Sequence, residues 1–262
     1  MRSAEEAIDL LVAHGRRAGL FLDFDGTLAP IVADPDTSAM PPELAPLLTE
    51  VATALGVLAV VSGRPAAFLA ERVRVDGAAL LGLYGLETWD GRMAVPRPDA
   101  TEWRPRVREG LNRLRAALDG ADGIWVEDKG LAVAVHWRNA ADRPDAEREV
   151  GLLVEALSAE TGLAHVPGKL VAELRPPVRW DKGDAVRALS ADRGLAVAVY
   201  VGDDLGDLPA FAAAREHGGM GVAVSGGEET PPELLARADA ALDGPGGLRV
   251  WLEVLRERLT GA

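Results

Sequence analysis

The sequence contains no cysteine and no apolar run of about 18 residues. The absence of cysteine excludes disulfide bonds and thiolate metal ligands, so any metal ion must be held by oxygen or imidazole groups. The absence of a long apolar run argues against a membrane-spanning helix. The first ten residues, MRSAEEAIDL, are acidic and amphipathic, unlike a secretory signal. We therefore expect a cytoplasmic protein that does not associate with membranes.

Basic residues are fewer than acidic residues. The chain has 28 Lys and Arg against 41 Asp and Glu, which gives a net charge of −13 at pH 7. No basic run is long enough to follow a phosphate backbone, so we expect no nucleic-acid partner. The three lysines are Lys129, Lys169 and Lys182. Because arginine is the usual cation here, each lysine indicates a position that needs a compact charge.

Short apolar segments alternate with helical patterns along most of the 262 residues. Buried strands are predicted at residues 20–22, 57–61, 79–83 and 196–201, with further strands near 220–224 and 239–242. A strand followed by a helix and another strand predicts a parallel sheet with right-handed crossovers. We expect residues 88–98, which carry two prolines, to be irregular.

Residues 97–177 interrupt this order. Their pattern is a helix, a hairpin, a second helix and a second strand pair, which predicts a separate α+β domain. The main domain would then comprise residues 1–96 and 178–262. Charged residues recur on the predicted strands of the insertion, where they either form a solvated face or provide a polar platform for sugar hydroxyls.

The segment around which the main domain is organised reads GLFLDFDGTLAPIV, residues 19–32. Asp23 and Asp25 end a buried strand and, being two residues apart, project to the same side. Gly26 allows a sharp turn. Two acids in one small site become tolerable if a divalent cation or a shared proton lies between them. The alternative is an Asp–Gly turn with solvated acids.

Polar groups also follow the other parallel strands. Ser62 ends the strand 57–61, where its hydroxyl suits a helix N-cap, a phosphate cradle or both. Lys182 begins a helix, where a cation opposes the helix dipole and so indicates an anionic partner. Three acids, Asp203, Asp204 and Asp207, follow the strand 196–201, and helix capping explains only one of them. The carboxyl edge of an α/β sheet is where ligands bind.

These segments resemble a known family. FLDFDGTLAPI is similar to the first motif of the haloacid dehalogenase superfamily, and VEDKGLAVAVHWR and GKLVAELRP resemble segments of the trehalose-6-phosphate phosphatases. The resemblance implies an α/β fold, with a Rossmann-like parallel-sheet core and an inserted α+β cap domain. It also implies Mg²⁺-dependent hydrolysis of trehalose 6-phosphate through an aspartyl-phosphate.

The resemblance further implies a role for most of the residues in these motifs. We assign no role to Tyr84 or Asp204. The catalytic residues would be Asp23 as nucleophile, Asp25 as general acid and base, Ser62 and Lys182. The metal ligands would be Asp23, Asp25, Asp203 and Asp207. The substrate-binding residues would be Gly26, Thr27, Gly63, Arg64, Glu127, Lys129, His136, Arg138, Lys169 and Glu173.

Two alternatives stay open at this point. One is a phosphatase of the same fold for another sugar phosphate, such as sucrose phosphate or mannosylphosphoglycerate. The other is a non-catalytic module that binds sugar phosphates. The expected partner is a small sugar-phosphate substrate, with trehalose-6-phosphate synthase as a possible pathway partner.

Overall fold

A computed structural model describes residues 2–32, 35–168, 170–226 and 230–261 of the chain. Internal contacts divide the chain into two units. The core unit comprises Met1–Val95 and Trp180–Ala262, and the inserted unit comprises Pro96–Arg179. The boundaries drawn from the sequence lie after residues 96 and 177.

The described residues form strands and helices that we number in chain order. The strands are β1 Ala18–Leu22, β2 Val57–Val61, β3 Ala79–Gly82, β4 Glu87–Trp89, β5 Ala94–Pro96, β6 Trp125–Asp128, β7 Val133–His136, β8 Ala164–Gly168, β9 Val171–Arg175, β10 Val197–Gly202, β11 Met220–Ser225 and β12 Ala240–Asp243. The helices are α1 Ala4–His14, α2 Leu44–Ala54, α3 Ala66–Val73, α4 Pro98–Thr101, α5 Arg104–Ala117, α6 Arg143–Thr161, α7 Lys182–Asp192, α8 Leu208–Glu216, α9 Pro232–Arg237 and α10 Gly244–Thr260.

The core sheet has the order β12-β11-β10-β1-β2-β3-β4-β5. The strands from β12 to β3 pair in parallel, whereas β4 is antiparallel to β3. Strand β1 lies between β2, which follows it in the chain, and β10, which comes much later. The order of the strands therefore reverses at β1, and such a reversal opens a ligand crevice at the carboxyl end of the sheet.

Both faces of β1 are buried, which explains its continuous apolar sequence. Leu20 and Leu22 pack with residues of α1, α2 and α10 on one face. Phe21 packs on the other face with residues of α7 and α8. Since the apolar layers fix β1 from both sides, the residues that follow it are held at a defined place.

The prediction that residues 88–98 are irregular was wrong. They include the end of β4, all of β5 and the start of α4. The turn between the two strands closes on Asp90, whose Oδ1 accepts the N–H groups of Arg92 and Met93 at 2.8 Å each. Strands of three residues are too short to show a periodic pattern, and Pro96 is tolerated because β5 is an edge strand.

The inserted unit contains an antiparallel sheet of order β6-β7-β9-β8. One face of this sheet carries Val133, Val135 and Leu174, which pack on Leu114 of α5 and Val150 of α6 in one apolar cluster. The opposite face carries the alternate residues of each strand. Among the described helices of both units, none is long and apolar enough to cross a membrane.

Candidate active site

The carboxyl end of β1 carries Asp23, whose side chain is buried. Its N–H donates to the Val201 carbonyl of β10 at 2.9 Å, so the residue continues the line of the sheet. The chain then turns at Gly26, whose φ of +80° favours glycine. A Cβ at this position would also collide with the Asp203 carboxylate. The acidic segments after β1 and β10 therefore meet at one point.

Gly26 and Thr27 hold this turn together. The Gly26 N–H donates to the Ala29 carbonyl at 2.8 Å. The buried Thr27 hydroxyl donates to Asp203 Oδ1 at 3.1 Å. The sequence predicted that both residues bind the substrate, whereas these two polar groups bond within the protein. Thr27 thus bonds directly to Asp203, and the role of both residues in substrate binding stays a prediction.

Lys182 is the first residue of α7, and its side chain is buried. Its Nζ lies 2.8 Å from Asp23 Oδ1 and 2.7 Å from Asp207 Oδ1. Asp181 and Asp184 form a capping box at the start of the helix. These two acids offset the unfavourable interaction of a cation with the positive end of the helix dipole. The anionic partners predicted for Lys182 thus include two protein carboxylates.

Asp207 has all of its acceptor positions occupied. Its Oδ1 accepts the Lys182 ammonium and the Tyr200 hydroxyl, each at 2.7 Å. Its Oδ2 accepts the N–H groups of Asp203 at 2.9 Å and Asp204 at 3.0 Å. An ionised carboxylate offers about four such positions. Asp207 therefore anchors both Lys182 and the loop that carries Asp203.

Three acids come close enough to share a cation. Carboxylate oxygens of Asp23, Asp203 and Asp207 lie within 4.8 Å of one another, although those of Asp207 already accept four hydrogen bonds. Lys182 balances one of the three charges, so the ionised group keeps two negative charges in excess. Oxygen donors with this excess of charge suit a hard divalent cation.

Burial dominates the electrostatics of this group. Burial, followed by repulsion from Asp207 and Asp204, raises the pKa of Asp203 to about 7. Burial also raises the pKa of Asp23 well above its ordinary value, although the Lys182 ammonium opposes the shift. Burial lowers the pKa of Lys182, but the Asp207 and Asp23 carboxylates outweigh this effect and keep that pKa well above its ordinary value. Lys182 is thus a permanent cation, and the acids around it gain from a further positive charge.

Asp25 lies two residues after Asp23, and its carboxylate bonds to different partners. Arg64 Nε donates to Asp25 Oδ2 at 2.7 Å, and Arg64 Nη2 donates to Oδ1 at 3.0 Å. The Ser38 hydroxyl donates to Oδ1 at 2.8 Å. Such a two-pronged guanidinium bond fixes the plane of the carboxylate. Arg64, predicted as a substrate ligand, here orients the predicted general acid.

Ser62 follows β2, and its N–H donates to the Leu81 carbonyl at 3.0 Å. Its buried hydroxyl accepts the Arg64 N–H at 3.1 Å. The interpretation of Ser62 as a helix N-cap was wrong, because α3 begins later, at Ala66, and Pro65 occupies the N-cap position. Ser62 instead closes a turn in front of the helix, where its hydroxyl lies at the carboxyl edge of the sheet.

Tyr84, to which the sequence gave no role, packs on this turn. Its N–H donates to the Ser62 carbonyl at 2.8 Å. Its hydroxyl lies so near Gly63 that a Cβ there would be 2.8 Å away. Leu83 and Tyr84 have φ values of +50° and +62°, which are costly for residues other than glycine. The strain is stored where the chain closes around the Ser62–Arg64 turn.

In the inserted unit, two polar pairs lie on the sheet face turned away from α5 and α6. Lys129 Nζ lies 3.6 Å from Glu173 Oε1, and His136 Nε2 lies 2.8 Å from Glu127 Oε2. The strand register explains this, because Glu127 and Glu173 both pair with Ala134 of β7 from opposite sides. Four of the predicted sugar-binding residues are therefore neighbours.

The remaining predicted residues of this unit lie elsewhere. Arg138 is exposed and comes two residues after the end of β7, so it lies outside the strand that carries His136. Its carbonyl accepts a bond from Arg143 Nε at 3.0 Å. Lys169 lies outside the described residues.

The sequence profile of the trehalose-phosphatase family matches residues 21–236. The chain belongs to this family. The match covers most of the chain, from the strand that carries Asp23 to the helix α9, and the family predicted from the sequence is confirmed.

The chain is also similar to curated proteins of mycobacteria and related bacteria. It is 35% identical over 251 residues to a trehalose-phosphate phosphatase of Mycolicibacterium paratuberculosis, covering 94% of the chain and 63% of the relative. It is 38% identical over 225 residues to an uncharacterized glycosyl hydrolase of Mycobacterium tuberculosis, covering 80% of the chain and 16% of that protein. The chain thus spans less than two thirds of the length of these relatives.

Solved structures show the same fold. A trehalose-6-phosphate phosphatase related protein superposes with a TM-score of 0.77 at 23% identity, covering 91% of this chain and 96% of the other. The C-terminal domain of a Candida albicans trehalose-6-phosphate phosphatase gives a TM-score of 0.71 at 22% identity, covering 95% and 96%. A haloacid dehalogenase-like hydrolase from Bacteroides thetaiotaomicron gives 0.64 at 17% identity, covering 91% and 99%. The predicted fold class is confirmed.

The sequence assigned no role to three residues of the candidate site, Tyr200, Ser38 and Tyr84. Tyr200 is a hydroxyl-bearing residue within an otherwise apolar buried strand, and this contrast was a usable signal. Burial and the Asp207 carboxylate raise the pKa of Tyr200 well above its ordinary value, so it remains a donor. Ser38 lies in a polar loop that gave no signal. Tyr84 is marked only by its backbone conformation, which the sequence does not reveal.

Proposed function

We propose that the chain is a phosphatase that hydrolyses trehalose 6-phosphate to trehalose and phosphate. The observation that carries the proposal is the buried pair of Asp23 and Lys182, joined at 2.8 Å at the carboxyl end of β1. This edge is where an α/β sheet binds its ligands. Family membership supports the reaction, and the names of the curated relatives support the substrate.

Asp23 acts as the nucleophile. One of its carboxylate oxygens attacks phosphorus, the bond from phosphorus to the sugar oxygen breaks, and an aspartyl-phosphate forms. Asp25 gives a proton to the leaving sugar oxygen. In the second step Asp25 takes a proton from water, the water oxygen bonds to phosphorus, and the bond to Asp23 breaks. Arg64 and Ser38 hold the Asp25 carboxylate in a fixed orientation between these steps.

Lys182 and Ser62 stabilise the charge on the transferring group. An ammonium has three N–H donors, and the bonds to Asp23 and Asp207 use two of them. The third is available for a phosphoryl oxygen. The Ser62 hydroxyl, next to the Arg64 amide, supplies a further donor at the same edge. Because these groups are buried and preorganised, they need little reorganisation during the reaction.

The donor set fits Mg²⁺. We assign the Asp23 and Asp203 carboxylates and the Asp25 carbonyl as its protein ligands, since all are oxygen donors and the acids carry excess negative charge. When bound, Mg²⁺ neutralises negative charge on the phosphoryl oxygens and on Asp23. Asp207, whose oxygens already accept four bonds, positions Lys182 and Asp203.

The inserted unit acts as the cap domain that selects the sugar. Glu127, Lys129 and Glu173 supply a polar face for hydroxyl groups, and the resemblance adds His136 and Lys169. Buried polar groups reject a substrate that leaves them unpaired, so this face provides specificity. We retain a cytoplasmic location and a pathway link to trehalose-6-phosphate synthase as parts of the proposal.

A phosphate-release screen tests this function. Trehalose 6-phosphate, sucrose 6-phosphate, mannosylphosphoglycerate, glucose 6-phosphate and p-nitrophenyl phosphate would be compared in Mg²⁺ and in excess chelator. We expect the highest kcat/KM for trehalose 6-phosphate and no release in chelator. If another sugar phosphate is preferred, that compound replaces trehalose 6-phosphate as the assigned substrate. If no ester releases phosphate in Mg²⁺, the chain is not a phosphatase and the alternative of a sugar-phosphate-binding module is favoured.

A further inference from the structure

Trp125 is the most exposed aromatic feature of the inserted sheet. It begins β6, an edge strand, and 36% of its surface is accessible, although tryptophan is well buried on average. The register pairs it with His136 on β7. The two rings stack with centroids 4.4 Å apart and planes 9° from parallel. The imidazole therefore supports the indole from one side and fixes its orientation.

The position of Trp125 in the strand decides which face it occupies. Trp125 and Glu127 are two residues apart on β6 and so project from the same face. The intervening Val126 packs toward the apolar cluster of α5 and α6, to which Trp125 does not belong among the described residues. The indole therefore shares the polar face of the sheet and adds nothing to the apolar core of the unit.

The chemistry of this face suits one class of ligand. Carboxylates of Glu127 and Glu173, the Lys129 ammonium and the His136 ring share this sheet face with the flat indole surface. A pyranose ring has hydroxyls around its rim and apolar C–H groups on its faces. The rim hydroxyls can both donate to carboxylates and accept from an ammonium, and the C–H face can cover an indole.

The proposed function decides which ring of a sugar phosphate would bind here. The charges of this face do not, because Arg175, two residues after Glu173 on β9, joins Lys129 against Glu127 and Glu173. The phosphate of the proposed substrate is held at Asp23, so the ring that remains for this face is the one without a phosphate.

We propose that Trp125, supported by His136, is a specificity-determining residue that stacks on the unphosphorylated pyranose ring of a disaccharide phosphate. The inference rests on the proposed function, because it assigns this ring to the substrate of the same enzyme. Stacking on a remote ring contributes binding energy only for substrates that have such a ring.

Three variants test this stacking platform, by which we mean the Trp125 indole supported by the His136 ring. Trp125→Ala removes the indole, Trp125→Phe keeps an aromatic face, and Trp103→Ala is the matched control. Trp103 is a half-buried tryptophan of the same unit, but its ring lies against Arg106 at the start of α5. Thermal unfolding of each variant would be recorded beside kcat/KM for trehalose 6-phosphate and for p-nitrophenyl phosphate.

We expect Trp125→Ala to lower kcat/KM for trehalose 6-phosphate roughly ten- to a hundredfold, as expected for the lost burial of apolar surface. Trp125→Phe should lose less than about fivefold, because the aromatic face remains. Turnover of p-nitrophenyl phosphate, which has no sugar ring, should stay within about twofold for both. Equal losses on the two substrates, or the same selective loss in Trp103→Ala, would overturn the proposal, as would no loss in Trp125→Ala.

A fluorescence titration separates this inference from the proposed function. Trehalose, which carries no phosphate, would be added to the wild-type chain and to Trp125→Phe. The platform predicts a saturable change in the wild type that is absent in Trp125→Phe. If this change appears but trehalose 6-phosphate is not hydrolysed, the proposed function fails and the platform stands. If hydrolysis occurs, trehalose gives no saturable change in the wild type and neither Trp125 variant differs from the wild type in kinetics, the platform fails alone.

Discussion

Lys182 and Asp207 form a buried ion pair in which Nζ lies 2.7 Å from Oδ1. The same carboxylate accepts the Tyr200 hydroxyl and the N–H groups of Asp203 and Asp204. One side chain thus positions the cation of α7 and the acidic loop after β10. Its removal should therefore affect both the stability of the core unit and the chemistry of the site.

Asp207→Asn should lower the free energy of unfolding by about 3–5 kcal/mol, because the ion pair with Lys182 is lost and the new NH2 group must face buried donors that the carboxylate accepted. Phosphate release should fall as well, because Lys182 and Asp203 lose their anchor. Tyr200→Phe is the matched control, since it removes one donor to the same carboxylate and should cost about 1.5–3 kcal/mol. Denaturant unfolding and phosphate release would be measured together, and equal effects of the two variants would contradict this account.

Asp23→Asn should separate activity from stability. The variant removes the proposed nucleophile, so phosphate release should fall by more than about a thousandfold. Stability should hold or improve in chelator, because burial makes the Asp23 charge costly and Lys182 keeps its bond to Asp207. The measurement is phosphate release with denaturant unfolding in chelator. Residual turnover above about one thousandth of wild type, with deamidation excluded by mass spectrometry, would remove Asp23 from its role.

The sequence predicted the central parallel strands β1, β2 and β10 because each is an apolar run buried on both faces. It also predicted which motifs stand at the carboxyl edge, since parallel strands bring their ends together. The pairing of Asp25 with Arg64 was not predictable in this way. Spacing along the chain does not tell which guanidinium meets which carboxylate, because that depends on the direction of the turn after β2.

The same limit applies to the roles of Gly26, Thr27 and Asp207. Their residue types fitted phosphate or metal binding, and those roles stay predictions, but the sequence did not reveal the hydrogen bonds that these residues also make within the protein. Only three-dimensional contacts distinguish a residue that touches the ligand from one that holds its neighbour. Strands β4 and β5 were not predicted for another reason, because strands of three residues are too short to show a periodic pattern.

The pKa of Asp203 predicts how stability varies with pH in the absence of metal. The folded chain has a pKa of about 7 at this carboxyl, against 3.8 for the ordinary group. The folded state therefore holds a proton that the unfolded chain releases between about pH 4 and pH 7, and stability must fall as the pH rises through this window. The raised pKa of Asp23 acts in the same direction.

Thermal unfolding in chelator should thus have a lower midpoint at about pH 7.5 than at about pH 5. Mg²⁺ should raise the midpoint more at the higher pH, because metal binds the deprotonated carboxylates. Asp203→Asn should weaken both trends. A midpoint in chelator that rises between these two pH values would show that the charge of Asp203 is stabilised within the protein itself.

Gly26→Ala tests the contact that brings the first and last acidic motifs together. Two costs apply at this position: a φ of +80° and a collision of the new Cβ with the Asp203 carboxylate. Gly91→Ala is the matched control, because Gly91 has a φ of +96° but nothing within 4 Å of its Cβ position. The control should lose only the backbone cost, about 1–2 kcal/mol of unfolding free energy, and keep its phosphatase activity. Gly26→Ala should lose more stability and most of its activity, because Asp203 must move away from Asp23. If the two variants behaved alike in denaturant unfolding and phosphate release, the close approach of Gly26 to Asp203 would have no part in building the site.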